Sequence, residues 1–489
     1  GKGRILVYTS EEWSGTFFLK AVRNIFGDEG FNALFGGDYT DYYWNVTSML
    51  NYDIGSELPS VSVYVLCLLI YILCMGPAVY LFLKKKDKRE YMWLVIPCTA
   101  ILFSVIIYMA GNSTRYTEPF IRYYSSVDLT DEATVENTKI LLTSPDKEKS
   151  VMSIEGDCRM VLLSDEYYLP LQTGMKERFE RMKTKLGEAE YNTAMSVSDT
   201  RTDVLVRGRS AFDKNYFSNS RILKTEGSIS ADMSYYKGAL SGTVTNTTKW
   251  NLHNAFVIHK GLIFMIGDLA AGETKTLDQL QNVQLLKSRS VKLDTWQMDN
   301  PGNTAAVSSV MSGMMDNLSS NISREEDMVG GFTMDYDIGV QDNDQISSVC
   351  GLALIKSGIE VADSGKGWSS QVMLEPQEAE NEEELYNFDP FSYLIYGSDT
   401  LNARYIVGDV TGMLYMKWLN KDDLMNVAFY NLSTGVYDIV MEDSDMMTSE
   451  QLKNYISKDC VIKVRVQLEN MDEDHYMPVF TLSGGEKND

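Results

Sequence analysis

The stretch LPSVSVYVLCLLIYILCMGPAVYLFL, residues 58–83, carries no charged side chain over 26 residues. A helix rises about 1.5 Å per residue, so this run would be roughly 39 Å long, whereas the hydrocarbon core of a bilayer is about 30 Å thick. A second uncharged run, YMWLVIPCTAILFSVIIYMA, covers residues 91–110. The two runs predict a pair of transmembrane helices.

The short segment KKKDKRE, residues 84–90, joins these runs and carries five cations against two anions. Short basic loops stay on the cytoplasmic side of a membrane. The sequence therefore predicts a plasma-membrane protein in which both flanks of the hairpin are extracellular, with the lipid bilayer as its first partner.

The charge balance limits the other partners. The chain has 44 Lys and Arg against 68 Asp and Glu, a formal net charge of −24 over 489 residues. A basic footprint for nucleic acid is missing, so we expect no nucleic-acid partner. Divalent cations, cationic wall components and plain solubility all remain compatible with the acidic balance.

The order of the chain predicts a membrane-anchored, mainly β architecture. From residue 115 onward, short alternating runs are separated by Gly, Asn, Asp and Ser, which is typical of β-sandwiches. The stripe Val307, Val310, Met311, Met314, Met315 instead predicts one amphipathic helix. The predicted organisation is residues 1–57 as the tail of an extracellular α/β domain, 58–83 as transmembrane helix 1, 84–90 as the cytoplasmic loop, 91–110 as transmembrane helix 2, 111–224 as an extracellular β-rich domain, 225–300 as an immunoglobulin-like β-sandwich, 301–374 as a helix plus strands, 375–389 as an acidic linker and 390–489 as a jelly-roll-like β-sandwich.

Two resemblances accompany this pattern. GTVTNTT at 242–248 with LHNAFVI at 252–258 resembles the immunoglobulin-like or fibronectin-like sandwiches of bacterial surface proteins. GPAVYL at 76–81, FYNLSTGVYD at 429–438 and MPVFTLSGG at 477–485 resemble uncharacterised two-pass membrane proteins of Gram-positive Firmicutes. That resemblance implies no established activity. It implies an exported α/β domain before the hairpin, and because the chain begins with Gly rather than Met, we expect a fragment that lacks this upstream domain.

Residues suited to catalysis are few. No His-Glu-x-x-His helix, Gly-x-Ser-x-Gly elbow, phosphate-binding Gly-x-x-x-x-Gly-Lys-Ser/Thr loop or Cys-x-x-Cys pair occurs in the sequence. The only histidines are His253, His259 and His475. The first two lie six residues apart on one predicted strand, which is too far for one metal ion, so packing or surface roles are favoured. We therefore expect no enzyme.

A run of alternating carboxylates is the best candidate for a metal site. Asp335, Asp337, Asp342 and Asp344 could supply oxygen ligands to Ca²⁺, which takes six to eight of them. The run lacks the EF-hand glycine and terminal glutamate, and the alternative is an acidic surface loop. Calcium is the only cofactor that the sequence raises.

Three functional hypotheses follow. The first is a non-enzymatic cell-envelope membrane protein whose extracellular β-sandwich domains bind or assemble with other surface components, either envelope proteins or glycans. The second is a glycan-recognising or glycan-processing surface protein, in which Trp418, Tyr430 and Tyr437 contact the ligand, because aromatic rings suit sugar faces. The third is an accessory subunit of a membrane complex that docks through Gly76, Pro77 and the rest of the hairpin.

Overall fold

A computed structural model describes the chain in sections. The described residues are 39–52, 61–73, 77, 79–85, 91–112, 118–130, 132–145, 149–156, 158–163, 193–207, 212–280, 283–285, 291–298, 301–322, 326–341, 346–363, 368–373, 376, 378–379, 388–389, 394–395, 400–407, 415–419, 425–440, 446–470 and 475–485.

Six helices and 28 strands lie within these residues. The helices are α1 (Tyr39–Asn51), α2 (Val61–Leu73), α3 (Val79–Lys85), α4 (Met92–Asn112), α5 (Pro301–Asn321) and α6 (Ser449–Leu452). The strands of the first part of the chain are β1 (Phe120–Leu129), β2 (Thr134–Ser144), β3 (Lys149–Glu155), β4 (Arg159–Leu163), β5 (Thr193–Val197), β6 (Arg201–Arg207), β7 (Asp213–Leu223), β8 (Ile229–Tyr236), β9 (Ala239–Asn246), β10 (Leu252–His259), β11 (Leu262–Leu269), β12 (Thr274–Leu280), β13 (Val283–Leu285), β14 (Met328–Thr333), β15 (Ser348–Gly358) and β16 (Val361–Asp363). The remaining strands are β17 (Trp368–Met373), β18 (Glu378–Ala379), β19 (Phe388–Asp389), β20 (Leu394–Ile395), β21 (Thr400–Ile406), β22 (Tyr415–Trp418), β23 (Met425–Tyr430), β24 (Tyr437–Ile439), β25 (Met446–Thr448), β26 (Val461–Leu468), β27 (His475–Tyr476) and β28 (Phe480–Gly485).

The largest element is a nine-stranded sheet in the order β13-β11-β10-β14-β15-β1-β2-β7-β4. Its centre joins distant parts of the chain, because β1 pairs in parallel with β15 and antiparallel with β2. Strands from the predicted segments 111–224, 225–300 and 301–374 therefore share one sheet. The immunoglobulin-like segment is not self-contained, since β10 pairs with β14 outside it.

Two helices cover one face of the nine-stranded sheet. α5 places Val307, Val310 and Met311 against it, each fully buried, and each such side chain contributes about 1.5–3 kcal/mol by burial. α1 packs beside α5. A Cβ at Gly313 would lie 2.6 Å from Met49 Sδ, so the absence of a side chain there permits the close approach of the two helices.

Two smaller sheets cover the opposite face and complete the main apolar core. They are β3-β6-β5 and β12-β9-β8-β16. A buried ion pair lies within this layer, where Arg221 on β7 faces Glu136 on β2 with an Nη2–Oε2 distance of 2.7 Å. The hydroxyl of Tyr336, after β14, donates to the same Oε2 at 2.6 Å. Burial first, and then the Glu136 carboxylate, raise the pKa of Tyr336.

The C-terminal part contains a five-stranded sheet, β18-β21-β26-β23-β24, and a four-stranded sheet, β17-β28-β22-β25. Aromatic rings join the two sheets. Phe429 of the first lies 6.0 Å, centroid to centroid, from Phe480 of the second, and Tyr405 lies 5.1 Å from the same ring. This arrangement agrees with a β-sandwich. A three-stranded sheet, β19-β20-β27, completes the described part of this region.

The predicted transmembrane hairpin is wrong. The described residues of this region include α2, of 13 residues, and α3, of seven. α4 carries Pro97 within its 21 residues. In the described part of the chain, no helix combines the length and the apolarity needed to cross a membrane.

The fold class and the localisation change accordingly. The described structure is mainly β, as the sequence indicates, but it contains no membrane-spanning hairpin. The inferred plasma-membrane location, with both flanks outside the cell, depended on that hairpin and falls with it. Residues 1–38, most of the predicted extracellular α/β tail, and residues 86–90 of the predicted cytoplasmic loop lie outside the described residues.

Candidate functional site

The outer face of the five-stranded sheet carries the most unusual charge arrangement. Along β26, Ile462, Val464 and Val466 are buried, whereas Lys463 and Arg465 between them are half-buried. Successive side chains of a strand point to opposite faces of a sheet. The sequence VIKVRVQL therefore sends its aliphatic residues to the core and both cations to the outer face.

Two tyrosines lie on the same face, on neighbouring strands. Tyr430 on β23 and Tyr437 on β24 are Cα partners, and their rings meet edge to face with centroids 5.3 Å apart. The turn between the strands produces this pairing. Asn431 Oδ1 accepts hydrogen bonds from the backbone N–H of Ser433 at 2.9 Å and of Thr434 at 3.2 Å, and Gly435 takes a φ of +73°, which favours glycine.

Arg465 is held in place from two sides. Its Nε donates to Oδ1 of Asn402, its Cα partner on β21, at 2.7 Å. On the other side its partner is Ala428, whose small side chain leaves room for the guanidinium to extend toward β24. There the Arg465 Cζ lies 3.9 Å from the ring centroid of Tyr437. This distance is well within the range of a cation–π contact.

The terminal nitrogens of Arg465 have no carboxylate partner among the residues that the structure describes. Lys463 lies beside it, with its Nζ 5.3 Å from the ring centroid of Tyr430. The nearby carboxylate of Asp438 accepts hydrogen bonds from Asn431 Nδ2 at 2.6 Å and from the Tyr455 hydroxyl at 3.1 Å. Burial, and then Asp438, raise the pKa of Tyr455.

We call Tyr430, Tyr437, Lys463 and Arg465 the tyrosine–arginine face. It combines two aromatic rings with two cations. One of the cations, Arg465, has its orientation fixed before any ligand binds. A planar guanidinium with its two terminal nitrogens available forms paired hydrogen bonds with carboxylate, sulfate or phosphate oxygens. The face can therefore bind an anion in a chain whose net charge is −24.

Trp418 does not belong to this face. It lies on β22 in the four-stranded sheet and is 4% exposed. Its ring packs against Phe429, with centroids 5.8 Å apart, and against Phe480 at 5.4 Å. The structure thus brings together two of the three predicted aromatic residues, and the third is part of the core between the sheets.

The predicted calcium ligands are only partly described. Asp335 and Asp337 are exposed and alternate with the buried Tyr336 and Ile338. The Asp337 carboxylate accepts the backbone N–H of Gly339 at 2.7 Å, which forms a local turn. Asp342 and Asp344 lie outside the described residues. Over the described sections, no three or more His, Cys, Asp or Glu side chains are placed to hold a metal ion, and calcium binding stays a prediction.

Tyr430 and Tyr437 are candidate ligand contacts already from the sequence, whereas Lys463 and Arg465 are not. The strand alternation of VIKVRVQL could have placed both cations on the outer face. Their contact with the tyrosines depends on the strand order β21-β26-β23-β24, and no local pattern contains that order.

One family matches part of the chain. Residues 228–362 match a family described as "Domain of unknown function (DUF8725)". The matched segment extends from β8 to β16 and ends before the tyrosine–arginine face. No curated protein sequence matches the chain.

Solved structures similar to this chain include two mu-homology domains. The yeast delta-COP-I mu-homology domain is 8% identical with a TM-score of 0.23, over 50% of this chain and 99% of that one. The Fcho1 Mu homology domain of Danio rerio, solved with a bound Eps15 peptide, is 7% identical with a TM-score of 0.25, over 51% of this chain and 99% of that one. These TM-scores are too low to carry an argument about the fold or function of this chain.

Proposed function

We propose that this chain is a non-catalytic binding protein whose tyrosine–arginine face recognises an anionic glycan. The observation that carries the proposal is how Arg465 is held in the fold. Its Nε is fixed by Asn402 and its guanidinium plane by Tyr437, while its terminal nitrogens have no carboxylate partner among the described residues. An arginine held in this way loses little side-chain entropy when it binds an anion, so more of the contact energy appears as affinity.

The chemistry of the face supports a sugar acid over other anions. Lys463 adds a second cation next to Arg465, and the rings of Tyr430 and Tyr437 provide apolar surface beside the charges. A carboxylated or sulfated sugar offers both an oxyanion and C–H faces for aromatic rings. The exposed Ile439 on β24 extends this apolar surface, since Ala428, the neighbour of Arg465, is its Cα partner.

A polysaccharide-binding assay tests the proposal. The purified full chain would be titrated onto immobilised polygalacturonate and dextran sulfate, with neutral dextran and poly-glutamate as comparisons, by biolayer interferometry at low salt. We expect binding to at least one anionic polysaccharide and none to dextran. Arg465→Ala should weaken binding about tenfold or more, because hydrogen bonds to charged groups contribute about 1.5–3 kcal/mol.

The matched control is Arg159→Ala, since Arg159 is an exposed arginine on β4, in another sheet. This variant should bind like the wild type. Equal losses in both variants would show a nonspecific charge effect and contradict the proposal. Binding to poly-glutamate but to neither anionic polysaccharide would replace the glycan with an acidic protein as the partner class.

A further inference from the structure

A pocket of about 400 Å³ lies in the segment that matches the family of unknown function, apart from the tyrosine–arginine face. Its volume falls within the usual range of small-molecule sites, about 300–1,000 Å³. The residues around it come from β10, β11, β12 and the segment 291–298, and they are His253, Asn254, Asp268, Lys275, Asp294, Thr295, Trp296 and Gln297.

A bulge in β10 builds the floor of this pocket. Asn254 adopts a φ of +49°, a left-handed conformation that asparagine tolerates better than most residues. The pairing register with β11 shifts at this point, and the Asn254 side chain is 3% exposed. Its amide donates to the backbone oxygen of Asp294 at 2.9 Å and accepts the backbone N–H of Asp294 at 2.7 Å. This paired contact fixes the segment 291–298 over the sheet.

The fixed segment places Trp296 on His253. The two rings stack with centroids 4.0 Å apart and an interplanar angle of 30°. On its other side, His253 Nδ1 lies 3.2 Å from Asp268 Oδ1. The pocket therefore contains an aromatic wall whose position is determined by contacts on both sides, and Trp296 itself is only half-buried.

Charged groups of both signs line the pocket. Lys275 Nζ donates to the backbone oxygens of Ile266 at 2.8 Å and of Asp268 at 3.1 Å, which holds one cation at the rim. The carboxylates of Asp268 and Asp294 bring negative charge to the same pocket. A ligand with a full charge of either sign meets a like charge here. A neutral ligand that both donates and accepts hydrogen bonds meets partners for each of its groups.

We propose that this pocket binds a single neutral sugar unit. Trp296 would pack against the apolar face of the ring, while the carboxylates, the Thr295 hydroxyl and the Gln297 amide would bind its hydroxyl groups. A metal ion is disfavoured as the occupant, because the described His and Asp side chains do not form a group of three placed to hold one. The site is independent of Arg465, so its ligand and that of the tyrosine–arginine face bind separately.

Saturation-transfer NMR on the purified full chain tests this pocket. The probes are D-glucose, D-galactose, D-mannose and N-acetyl-D-glucosamine at millimolar concentration, with D-glucuronate and D-glucosamine as charged comparisons. We expect saturation transfer to at least one neutral sugar and weaker transfer to both charged ones. Trp296→Ala should weaken the binding of that neutral sugar about tenfold, the usual scale for loss of an aromatic anchor.

The matched control is Trp44→Ala, because Trp44 is a 64% exposed tryptophan on α1. It should leave sugar binding unchanged, and circular dichroism would establish that both variants fold. Asp294→Asn keeps the backbone contact to Asn254 and should weaken binding by itself. No transfer to any neutral sugar, preference for a charged one, or unchanged binding by Trp296→Ala would overturn the proposal. Arg465→Ala should leave this signal intact, so the two sites fail or succeed separately.

Discussion

Arg221 and Arg465 both lie on β-strands, yet their surroundings differ in almost every respect. Arg221 is 5% exposed and reaches a fully buried carboxylate with two nitrogens, its Nε at 2.9 Å and its Nη2 at 2.7 Å from Glu136 Oε2. Arg465 is half-buried, lies against an aromatic ring and has no carboxylate partner among the described residues. The charge of the first arginine is paired within the fold, whereas the second is held in position and has no paired carboxylate in the described part of the chain.

Under the proposed function, this difference would separate a structural cation, Arg221, from a binding cation, Arg465. An ion pair removed from water contributes little net stability, because desolvation cancels most of the attraction, but removing one partner leaves a buried charge and costs a great deal. Removing a half-buried arginine such as Arg465, which has no carboxylate partner among the described residues, should cost much less stability. We therefore expect changes at Arg221 to appear in unfolding experiments and changes at Arg465 to appear in binding experiments.

Arg221→Met has the largest expected effect. The substitution leaves the Glu136 carboxylate buried without its cation. This carboxylate also accepts hydrogen bonds from Tyr336 and from Thr138, the latter at 2.8 Å. The free energy of unfolding should fall by about 3–5 kcal/mol, as it does when a buried pair is broken. Urea denaturation followed by circular dichroism measures this fall.

Arg465→Met is the control for this prediction. We expect its free energy of unfolding to fall by only about 1 kcal/mol, because the variant loses the contact with Tyr437 but leaves no fully buried carboxylate without its cation. Comparable losses in the two variants would mean that Arg465 is also a structural residue, and the distinction between the two arginines would fail.

Lys139 sharpens the comparison, because a half-buried lysine can lose its proton and an arginine cannot. Burial lowers the pKa of Lys139 from 10.5 to about 8. Between these two values the unfolded chain binds more protons than the folded one, so the free energy of unfolding rises with pH. We expect a gain of about 1.5 kcal/mol between pH 8 and pH 9.5, measured by urea denaturation at each pH.

Lys139→Met removes the titrating group and keeps a side chain of similar length. Its free energy of unfolding should lack this rise, and the variant should be more stable than the wild type at pH 7. The range stops at pH 9.5 because the raised pKa values of Tyr123, Tyr235 and Tyr336 affect stability at higher pH. A wild type and variant with parallel pH curves would show that Lys139 is not responsible.

Much of the local structure was predictable from the sequence. The stripe from Val307 to Met315 predicts the helix seen at Pro301–Asn321, and the alternating run VIKVRVQL coincides with β26. The hairpin prediction was wrong, because a count of uncharged residues does not show which residues form a helix, and no described helix combines the length and the apolarity needed to cross a membrane. The nine-stranded sheet was also beyond prediction, since Phe120 pairs with Ser348 and no local pattern encodes a contact over such a separation.

The two tyrosines of the candidate site were predictable from the sequence, and its two cations were not. Tyr430 and Tyr437 flank an Asn-Leu-Ser-Thr-Gly-Val turn, which is why the sequence could bring them together. Trp418 carries the same chemical signal as an exposed aromatic, and only the packing of two sheets shows that it is buried. The side chain of Arg465 is positioned by Asn402 and Tyr437, which lie on two other strands, so the sequence of β26 alone could not show its arrangement.

Tyr437→Leu has the smallest effect among these predictions. It removes the ring beneath Arg465 while keeping an apolar side chain, so the arginine loses a cation–π contact of about 0.5–1 kcal/mol. Affinity for the anionic polysaccharide should fall about two- to fivefold. Tyr437→Phe retains the ring and should stay within about twofold of the wild type. Equal losses in both variants would assign the effect to the hydroxyl group.

The most direct test of the central claim is the dissociation constant of a defined uronic-acid oligosaccharide, such as trigalacturonate, for the wild type and for Arg465→Lys. Isothermal titration calorimetry at low and high salt would supply both values. The substitution keeps the positive charge but loses the planar group that stacks on Tyr437 and binds two oxygens at once. We predict that the lysine variant loses about tenfold or more in affinity at both salt concentrations. Equal affinities for the two proteins would contradict the account, because charge alone would then explain the binding.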